Sequence, residues 1–580
     1  MPPAALNLLV FRDDRRRVSG LQLKSALIRQ IQNLRRASSA DQLINALLRA
    51  GELECGVSDA ALTSVRASAV LTEHLANALI NPESALDAGA MQAAIDAAVP
   101  GQIAISSPEG FAYYALHPLA FADVVEQLPL RSRSVGVIGI RSIGTTLSAV
   151  ATAAARARGL CAERITVRPH GHPYNRYTEL STEQLHFVRK FTAVNAEFLI
   201  VDEGPGLSGS SFLSVAEALS LAGVKDDRIT LVCGHQPDFA SLRADGGSQR
   251  AHRFRWAAVP LEPRKPEEAE QFVGAGLWRG QLLSGAGAWP ASWISSERLK
   301  YLTSNHSHRL LLKFIGLGHY GEKVFEREEQ IAGAGFGLVP RRQAHGFASY
   351  DWIPGRPMSC ADVNDGLTED VLRRLAAYCA FRAETFPVEL TGLEAQRQMA
   401  DHNAQQMALD VPIRLQLERP VIADGRMQPH EWLCTSDGHL VKTDCGSHGD
   451  DHFFPGATDI AWDLAGAIVE WRMDDAQARF FLETYRRASG DDPSKRIEDF
   501  VTAYTIFRRA YCLMAANALQ GTDEQARLER AAAYYQAGFS RRAYTRQDHS
   551  QEEEPKMAKG ERPRCEITVA QTVIPESRVE

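Results

Sequence analysis

The sequence predicts an α/β domain with a parallel sheet, then an α+β domain of two lobes, with a helical N-terminal region ahead of both. Short apolar strands alternate with helical segments between residues 135 and 259, which is typical of a parallel sheet covered on both faces. Beyond residue 300 an apolar strand precedes a helix, and the sequence over 365–540 is mostly helical. Ahead of residue 100 apolar residues recur at helical spacing, and no chemical motif is evident.

The chain contains 580 residues, of which 45% are hydrophobic and 23% are charged, and this length and composition predict a folded protein of about three or four domains. We predict a helical region over 1–100, the parallel-sheet domain over 101–265, a connection over 266–300 and the two-lobed domain over 301–545. The polar segment 546–580 lacks periodicity and is predicted to be disordered.

Charge and cysteine content exclude several classes of protein. The chain has 64 Lys and Arg residues against 71 Asp and Glu residues, and the net charge of −7 excludes a generally basic nucleic-acid binder. Its 9 cysteines form no C-x-x-C pair, which argues against a zinc ribbon and favours a reducing compartment. No apolar run approaches the ~18 residues of a spanning helix. We therefore expect a cytoplasmic protein with small-molecule substrates, without membrane or clear nucleic-acid partners; a homo-oligomer stays open.

Each predicted element has a local signal. Leu21–Arg36 and Asp41–Leu48 are predicted helices, with Gly51 as a stop signal. Ligands of parallel sheets bind beyond the carboxyl ends of the strands, so the loops after Ile140 and Val201 are expected to form a site. The predicted strands are Val135–Ile140, Ile165–Arg168, Phe198–Val201, Ile229–Cys233 and Trp256–Val259. The predicted helices between them are Thr145–Gly159, Ser181–Phe191 and Ser211–Ala222.

The loop after Val201 is the most informative segment of the chain. Asp202 and Glu203 end the strand, a Gly-Pro-Gly turn follows, and Ser208-Gly209-Ser210-Ser211 begins a helix. Two adjacent acids suit the hydroxyls of a ribose or a cation, and small residues at a helix N-terminus suit a phosphate. The spacing is also that of a P-loop, but Ser210 stands where that motif needs lysine. A strand-turn-helix without a ligand is the other alternative.

This segment resembles the signature of type I phosphoribosyltransferases, in which two acids and a small-residue loop ending in Thr/Ser-Gly-x-Thr/Ser follow an apolar strand. The resemblance implies that Asp202 and Glu203 contact the ribose hydroxyls of phosphoribosyl pyrophosphate. It also implies Mg²⁺ and displacement of pyrophosphate at the anomeric carbon. The loop here is one residue longer than the usual pattern, and serines replace the threonines. The residues implied to hold the 5-phosphate are Ser208, Gly209, Ser210 and Ser211.

The same family needs an earlier loop for the pyrophosphate, and residues 139–146 follow the first strand. Gly139 and Gly144 permit close backbone approach, and Arg141 can neutralise the leaving group beside Asp202 and Glu203. A dinucleotide fingerprint does not fit, because the glycine spacing is wrong. The residues implied to bind the substrate here are Gly139, Ser142, Gly144 and Thr145.

Between these loops, residues 168–176 correspond to a mobile loop of the family. His170, His172 and Arg176 are the candidate contacts in that loop. The alternative is a surface turn with an incidental histidine pair. Two histidines alone, without a third ligand, make a poor metal site.

The second half carries another ordered set of residues. Lys313 lies on an apolar strand, Glu328 on the helix that follows, and a Pro-Gly hinge comes after Phe347. Asp444 and then Asp463 follow much later. This order resembles the protein-kinase-like fold, and most closely its aminoglycoside/choline phosphotransferase branch. The resemblance implies that Lys313 and Glu328 pair at the phosphates of ATP, that Asp444 holds Mg²⁺, and that Asp463 braces the catalytic loop.

The match departs from the family at its centre. The branch expects His-Gly-Asp-x-x-x-x-Asn, and the corresponding segment begins Asp424-Gly-Arg426 and ends at Glu431. Arg426 stands in the place of the catalytic base, and an arginine cannot accept a proton. Glu431 stands in the place of the Asn and can still bind a metal. A later group can form a metal cluster or a polar loop, and its members are His448, Asp450, Asp451 and His452.

The leading interpretation is a phosphoribosyltransferase-like enzyme, a glycosyltransferase, fused to an atypical ATP-binding kinase-like domain with a degenerate catalytic loop. The alternative is a sensor or regulator that binds a phosphoribosyl nucleotide and uses the kinase-like half as a scaffold. In a third interpretation the kinase-like half is the active one and the first half binds its substrate. The acceptor of the phosphoribosyl group is not readable from the sequence.

Overall fold

The structure is a computed structural model with side chains. Structural statements below concern the residues that it describes, which are 6–10, 16–34, 39–60, 65–83, 89, 91–92, 96–97, 99–106, 108–206, 208–260, 264–303, 309–359, 362–363, 366–389, 392–450, 453 and 456–548. The predicted tail over 546–580 lies almost entirely outside them.

The described secondary structure runs from strand β1 to helix α17. The strands are β1 Arg16–Ser19, β2 Gln102–Ile105, β3 Ser134–Ile140, β4 Cys161–Val167, β5 His170–His172, β6 Asn175–Tyr177, β7 Glu197–Val201, β8 Ile229–Cys233, β9 Arg255–Ala258, β10 Gln271–Phe272, β11 Lys300–Leu302, β12 Leu310–Phe314, β13 Arg341–Arg342, β14 Phe347–Asp351, β15 Gly355–Pro357, β16 Pro420–Ile422, β17 Trp432–Thr435, β18 Leu440–Lys442 and β19 Ala457–Asp459. The helices are α1 Gly20–Asn33, α2 Ala40–Asp59, α3 Val65–Ile80, α4 Glu109–Ala112, α5 Pro118–Gln127, α6 Ile143–Ala157, α7 Thr182–Ala193, α8 Ser210–Leu221, α9 Gly247–Ala251, α10 Arg279–Leu282, α11 His319–Gly333, α12 Glu369–Thr385, α13 Leu393–Gln406, α14 Ala461–Glu470, α15 Asp475–Ser489, α16 Ile497–Ala518 and α17 Asp523–Asp548.

The predicted parallel sheet forms in the first half. Its order is β4-β3-β7-β8-β9, and every pair in it is parallel. Strands β3, β7 and β8 are buried almost throughout, as continuous apolar strands covered on two faces must be. The chain order reverses between β3 and β7, so this is the switch point at which ligands of open α/β sheets bind. The loops after Ile140 and Val201 therefore lie next to each other.

Helix α2 joins the N-terminal region to both halves of the molecule. Gly51 was predicted to end this helix, which is wrong, because the helix continues to Asp59. A Cβ on Gly51 would lie 1.9 Å from Thr146 Oγ1, so the glycine serves close packing against α6. Glu54 pairs with the buried Arg164 of β4 at 2.7 Å. Glu52 accepts a hydrogen bond of 3.1 Å from His319 at the start of α11, in the second half.

A second sheet, of order β10-β11-β12-β14-β13, is antiparallel and forms the first lobe of the second half with α11. The segment 266–300, predicted to be a connection, contributes β10 to this sheet. Helices α12 to α17 form most of the other lobe, with two small sheets, β15-β17-β18 and β16-β19. Strand β14 runs directly into the Pro-Gly hinge between the lobes.

The buried apolar residues explain how these parts hold together. One cluster joins the N-terminal helices and α6 to Phe314 and Phe347 of the antiparallel sheet. A second cluster covers the other face of the parallel sheet, and a third fills the helical lobe around Trp432, Trp462 and Trp471. Among the described helices, none combines the length and the apolar character that crossing a membrane requires.

Candidate functional site

Two clefts gather the residues singled out by the sequence, and the first lies at the carboxyl ends of β3 and β7. Asp202 and Glu203 are only partly accessible there. Burial raises the pKa of Asp202 to about 7, against the opposing effects of backbone N–H donors and Arg168. Burial, Glu109 and Asp202 raise the pKa of Glu203 to about 8. Two adjacent carboxyl groups whose pKa values are raised by burial would bind a divalent cation or a pair of hydroxyls well.

The glycines of the loop after β3 are explained by packing within the protein. A Cβ on Gly139 would lie 2.4 Å from Ser148 Oγ, and one on Gly144 would lie 2.4 Å from the Val201 carbonyl oxygen. These glycines bring α6 against β3 and against the end of β7. They place the first turn of α6, with Ser142 and Thr145, beside Asp202, whose carboxylate accepts from the Gly144 N–H. The buried Thr145 hydroxyl has no hydrogen-bond partner among the described residues.

Arg141 is held by the N-terminal helix. Its guanidinium donates to Asp59 Oδ1 at 3.2 Å, to the Ser58 carbonyl oxygen at 3.2 Å and to Thr166 Oγ1 at 3.1 Å. Arg168 contacts the same Asp59 carboxylate. The sequence placed Arg141 at the leaving group, whereas the structure adds an acid on α2 that fixes this arginine at the edge of the cleft. Its role toward a ligand stays a prediction.

The predicted mobile loop is a β-hairpin formed by β5 and β6. Its turn reaches the serines after β7, since Ser208 Oγ and Ser210 Oγ donate to the Pro173 carbonyl oxygen at 2.7 and 2.6 Å. His170 and His172 are exposed. Gly209 adopts a left-handed conformation (φ 71°) just before α8, which a residue with a Cβ would adopt with strain. Helix α8 begins with Ser210 and Ser211, and the hairpin contacts the start of this helix through Pro173.

The second cleft lies between the two lobes, and its centre is a buried lysine. Lys313 Nζ lies 3.6 Å from Glu328 Oε1 of α11 and 2.6 Å from Asp444 Oδ1 beyond β18. Only 3% of the Lys313 side chain is exposed. Burial opposes ionisation of Asp444, but Lys313 and His448 outweigh it and hold its pKa well below the usual range. The strand lysine, helix glutamate and later aspartate, far apart in sequence, meet in one ion-paired group.

The loop that starts at Asp424 is braced by Asp463 of α14. The carboxylate of Asp463 accepts the backbone N–H of Asp424 at 2.7 Å and that of Gly425 at 2.9 Å. Burial raises the pKa of Asp463 to about 6. These bonds place Arg426 third in the braced loop, where its guanidinium lies over Tyr511 and lines the cleft. Arg426 thus lies in the braced loop, at the place where the resemblance would expect a proton acceptor.

Lys442, fully buried beside this cleft, is a residue that the sequence analysis missed. Its ammonium donates to Glu431 Oε2 at 2.7 Å, lies 3.5 Å from Asp424 Oδ1 and contacts the Asp444 carbonyl oxygen. The available sequence signal was a lysine two residues ahead of Asp444. Glu431 is therefore ion-paired.

The predicted metal cluster after Asp444 is only partly described. His448 lies 3.5 Å from Asp444 and 3.8 Å from Asp424, measured between ring nitrogens and carboxylate oxygens. Asp451 and His452 lie outside the described residues, as does the side chain of Asp450. A different trio, Asp424, Glu431 and His448, has ligand atoms within 4.8 Å of one another.

The walls of the cleft come from both lobes and from the segment ahead of β11. The cleft has an empty volume of about 1240 Å³, and Leu311, Leu338 and Leu433 are among its apolar wall residues. Trp352 and Ile353 of the hinge line it as well. Trp278 and Trp293, in the segment predicted to be a connection, also face the cleft, and Trp293 packs on Tyr511 of α16. The sequence signal for them was the unusual tryptophan content of that segment.

No protein-family model matches the chain, and no curated protein matches it. Solved structures similar to it include a choline/ethanolamine kinase family protein from Mesorhizobium loti, with 15% identity, TM-score 0.29, and coverage of 41% of this chain and 84% of that one. A macrolide 2′-phosphotransferase from Brachybacterium faecium has 14% identity and TM-score 0.29, covering 44% and 95%. A choline kinase from Cryptosporidium parvum has 11% identity and TM-score 0.30, covering 46% and 94%.

Proposed function

We propose that this protein binds a nucleoside triphosphate with Mg²⁺ in a kinase-like cleft between the two lobes of its second half. The observation that carries the proposal is the position of Lys313, held between Glu328 and Asp444. A buried ammonium at this place is suited to phosphate oxygens, and the ionised Asp444 is suited to Mg²⁺. The apolar walls at Leu311, Leu338 and Leu433 are suited to the flat base.

Arg426 argues against ordinary phosphotransfer to a hydroxyl. Its guanidinium stays protonated and has no lone pair to take a proton. Neither Asp424 nor Asp463 is free to substitute, because the first faces Lys442 and the second accepts two backbone N–H groups. The cleft is therefore proposed to bind the nucleotide without the usual base.

Titration calorimetry with a non-hydrolysable ATP analogue and Mg²⁺ tests this proposal. Lys313→Ala is expected to weaken binding by about 10- to 100-fold, because charged hydrogen bonds to the phosphates are lost. Lys190→Ala is the control, since Lys190 forms an exposed ion pair with Glu163 in the other half of the chain. Absence of binding to the parent protein, or equal loss in both variants, contradicts the proposal.

A second function is proposed for the cleft of the parallel sheet, namely binding of phosphoribosyl pyrophosphate and transfer of its phosphoribosyl group. It is favoured by the raised pKa values of Asp202 and Glu203 at the switch point of the sheet. Mg²⁺ would sit with these acids and the pyrophosphate, and the Ser208 and Ser210 hydroxyls would turn from Pro173 to the 5-phosphate.

Pyrophosphate release from phosphoribosyl pyrophosphate, measured with Mg²⁺ and a panel of nitrogenous bases, tests the transferase. Release with at least one base supports an enzyme. Binding without release with any base favours the sensor or regulator instead. If neither binding nor pyrophosphate release is observed, the second proposed function is excluded, and the proposal for the nucleotide cleft is unaffected.

A further inference from the structure

The kinase-like arrangement raises the question of how many cations the second cleft can take. Two of its acids stand where metal ligands are expected, Asp444 beyond β18 and Glu431 in the braced loop. Asp444 presents a carboxylate toward the cleft beside Lys313, and it lines the cleft. Its surroundings are compatible with one bound cation.

The surroundings of Glu431 are different, because a protein cation is already in place. The Lys442 ammonium is 2.7 Å from Glu431 Oε2 and 3.5 Å from Asp424 Oδ1, and it also donates to the Asp444 carbonyl oxygen. All three N–H donors of an ammonium can thus be directed to oxygen. The oxygens around Lys442 are the kind that would otherwise surround a divalent cation.

The backbone keeps Lys442 at this point. Lys442 is the last residue of β18, where it pairs with Trp432 of β17. Its backbone N–H donates to the Phe336 carbonyl oxygen at 2.8 Å. The side chain is fully buried, so it has no route to solvent without disturbing the core. Glu431 directly precedes Trp432, the first residue of β17. The pairing of β17 with β18 therefore fixes the positions of both Glu431 and Lys442.

From this geometry we propose that the ammonium of Lys442 takes the place of a second divalent cation, so that the cleft binds a single one, at Asp444. The proposal deepens the proposed nucleotide cleft, on which its use in the protein rests. A divalent cation at Asp424 and Glu431 would meet the fixed positive charge at contact distance. The trio of Asp424, Glu431 and His448 that resembles a metal site is, on this view, a site for the lysine.

The test counts bound Mn²⁺ by electron paramagnetic resonance in the full chain without nucleotide, so it does not depend on ATP binding. Lys442→Met keeps an unbranched side chain as far as Cε and removes the ammonium with its charge. It is expected to bind one Mn²⁺ more than the parent, and Lys442→Met/Glu431→Gln is expected to lose that additional ion. Lys190→Met, which removes a lysine of the exposed ion pair with Glu163 outside this cleft, should add none.

A folded Lys442→Met variant that binds no additional Mn²⁺ overturns the proposal. If that variant does not fold, Glu431→Gln in the parent background tests the proposal instead. The proposal expects the same number of bound Mn²⁺ ions with and without Glu431→Gln, and loss of one ion shows that Glu431 was a metal ligand beside Lys442. Failure of nucleotide binding with these ion counts unchanged would affect the proposed function alone.

Discussion

Asp202 and Glu203 at the end of β7, and Glu431 and Asp444 in the cleft between the lobes, are all acids on loops next to buried strands. The two pairs differ in whether a cation of the protein lies against the carboxylates. The first pair faces no lysine or arginine at ion-pair distance among the described residues, and its pKa values are about 7 and about 8. The second pair is matched by Lys442 and Lys313 at 2.7 and 2.6 Å. Burial dominates the environment of the first pair, whereas lysines of the chain lie against the second pair.

This difference teaches that an acidic motif alone does not identify a metal site. The cost of burying a carboxylate must be met by a proton, a cation of the protein or a bound cation. In the parallel-sheet cleft burial raises the pKa of both acids, which favours the protonated forms. In the other cleft Lys442 pairs with Glu431 and Lys313 with Asp444.

Removing the internal cation should have the largest effect. Lys442→Met leaves the Glu431 carboxylate without its ion-pair partner and takes one of the cations away from Asp424, and we expect it to lower the free energy of unfolding by about 3–5 kcal/mol. Lys442→Met/Glu431→Gln should recover part of this loss, since it removes one of the stranded charges. Urea denaturation followed by circular dichroism measures both, and a Lys442→Met variant as stable as the parent would show that the pairing is unimportant.

The corresponding change in the other cleft should have its main effect on binding. Asp202→Asn/Glu203→Gln is expected to weaken binding of phosphoribosyl pyrophosphate with Mg²⁺ by about 100-fold, because two charged hydrogen-bond acceptors are lost. Calorimetric titration measures the affinity. Glu163→Gln, at an exposed ion pair with Lys190, is the control and should bind as the parent does. Unchanged binding in the double variant would show that the site is elsewhere.

The pH dependence of stability should separate the two clefts. Folded-state pKa values of about 7 and about 8 for Asp202 and Glu203 lie above their unfolded values, so the folded protein binds more protons between roughly pH 4 and 8. The contribution of this pair to stability therefore falls as pH rises through that window, by at most about 1.4 kcal/mol per pH unit for each proton.

Thermal unfolding at pH 5.5 and pH 8, with and without Mg²⁺, checks this expectation. Mg²⁺ should raise the melting temperature more at pH 8, where the acids must ionise. The parent should lose more stability between these pH values than Asp202→Asn/Glu203→Gln, which cannot titrate. An identical pH dependence of stability in both proteins would contradict the raised pKa values of Asp202 and Glu203.

The smallest expected effect concerns the hairpin over the serines. Ser208→Ala/Ser210→Ala removes two hydrogen bonds to the Pro173 carbonyl oxygen, each contributing about 1 kcal/mol. Amide exchange over residues 170–177 should become faster, while exchange in β7 and β8 stays slow. Ser220→Ala, on the far end of α8, is a control, and equal protection of the hairpin in both variants would show that the serines do not hold it.

The elements of the parallel sheet were predictable because their signals are local. Strand β8 has the predicted limits, and β3 and β7 each begin one residue earlier than predicted. Gly51 was misread because the usual meaning of glycine in a helix is a stop, whereas here it makes room for Thr146 of another helix. Strand β10 could not be predicted from local sequence either, because it has only two residues and its partner β11 lies about 30 residues further along the chain.

The order of chemical groups is what the sequence by itself determined: two acids after an apolar strand, a lysine on a later strand, and an arginine where a proton acceptor was expected. Residue identity and local periodicity are sufficient for that. Only the tertiary structure decided which charges meet, placing Asp59 on Arg141, Lys313 on Asp444 and Lys442 on Glu431. Electrostatic pairing depends on distances of a few ångströms between segments, and only packing of the strands and helices sets those distances.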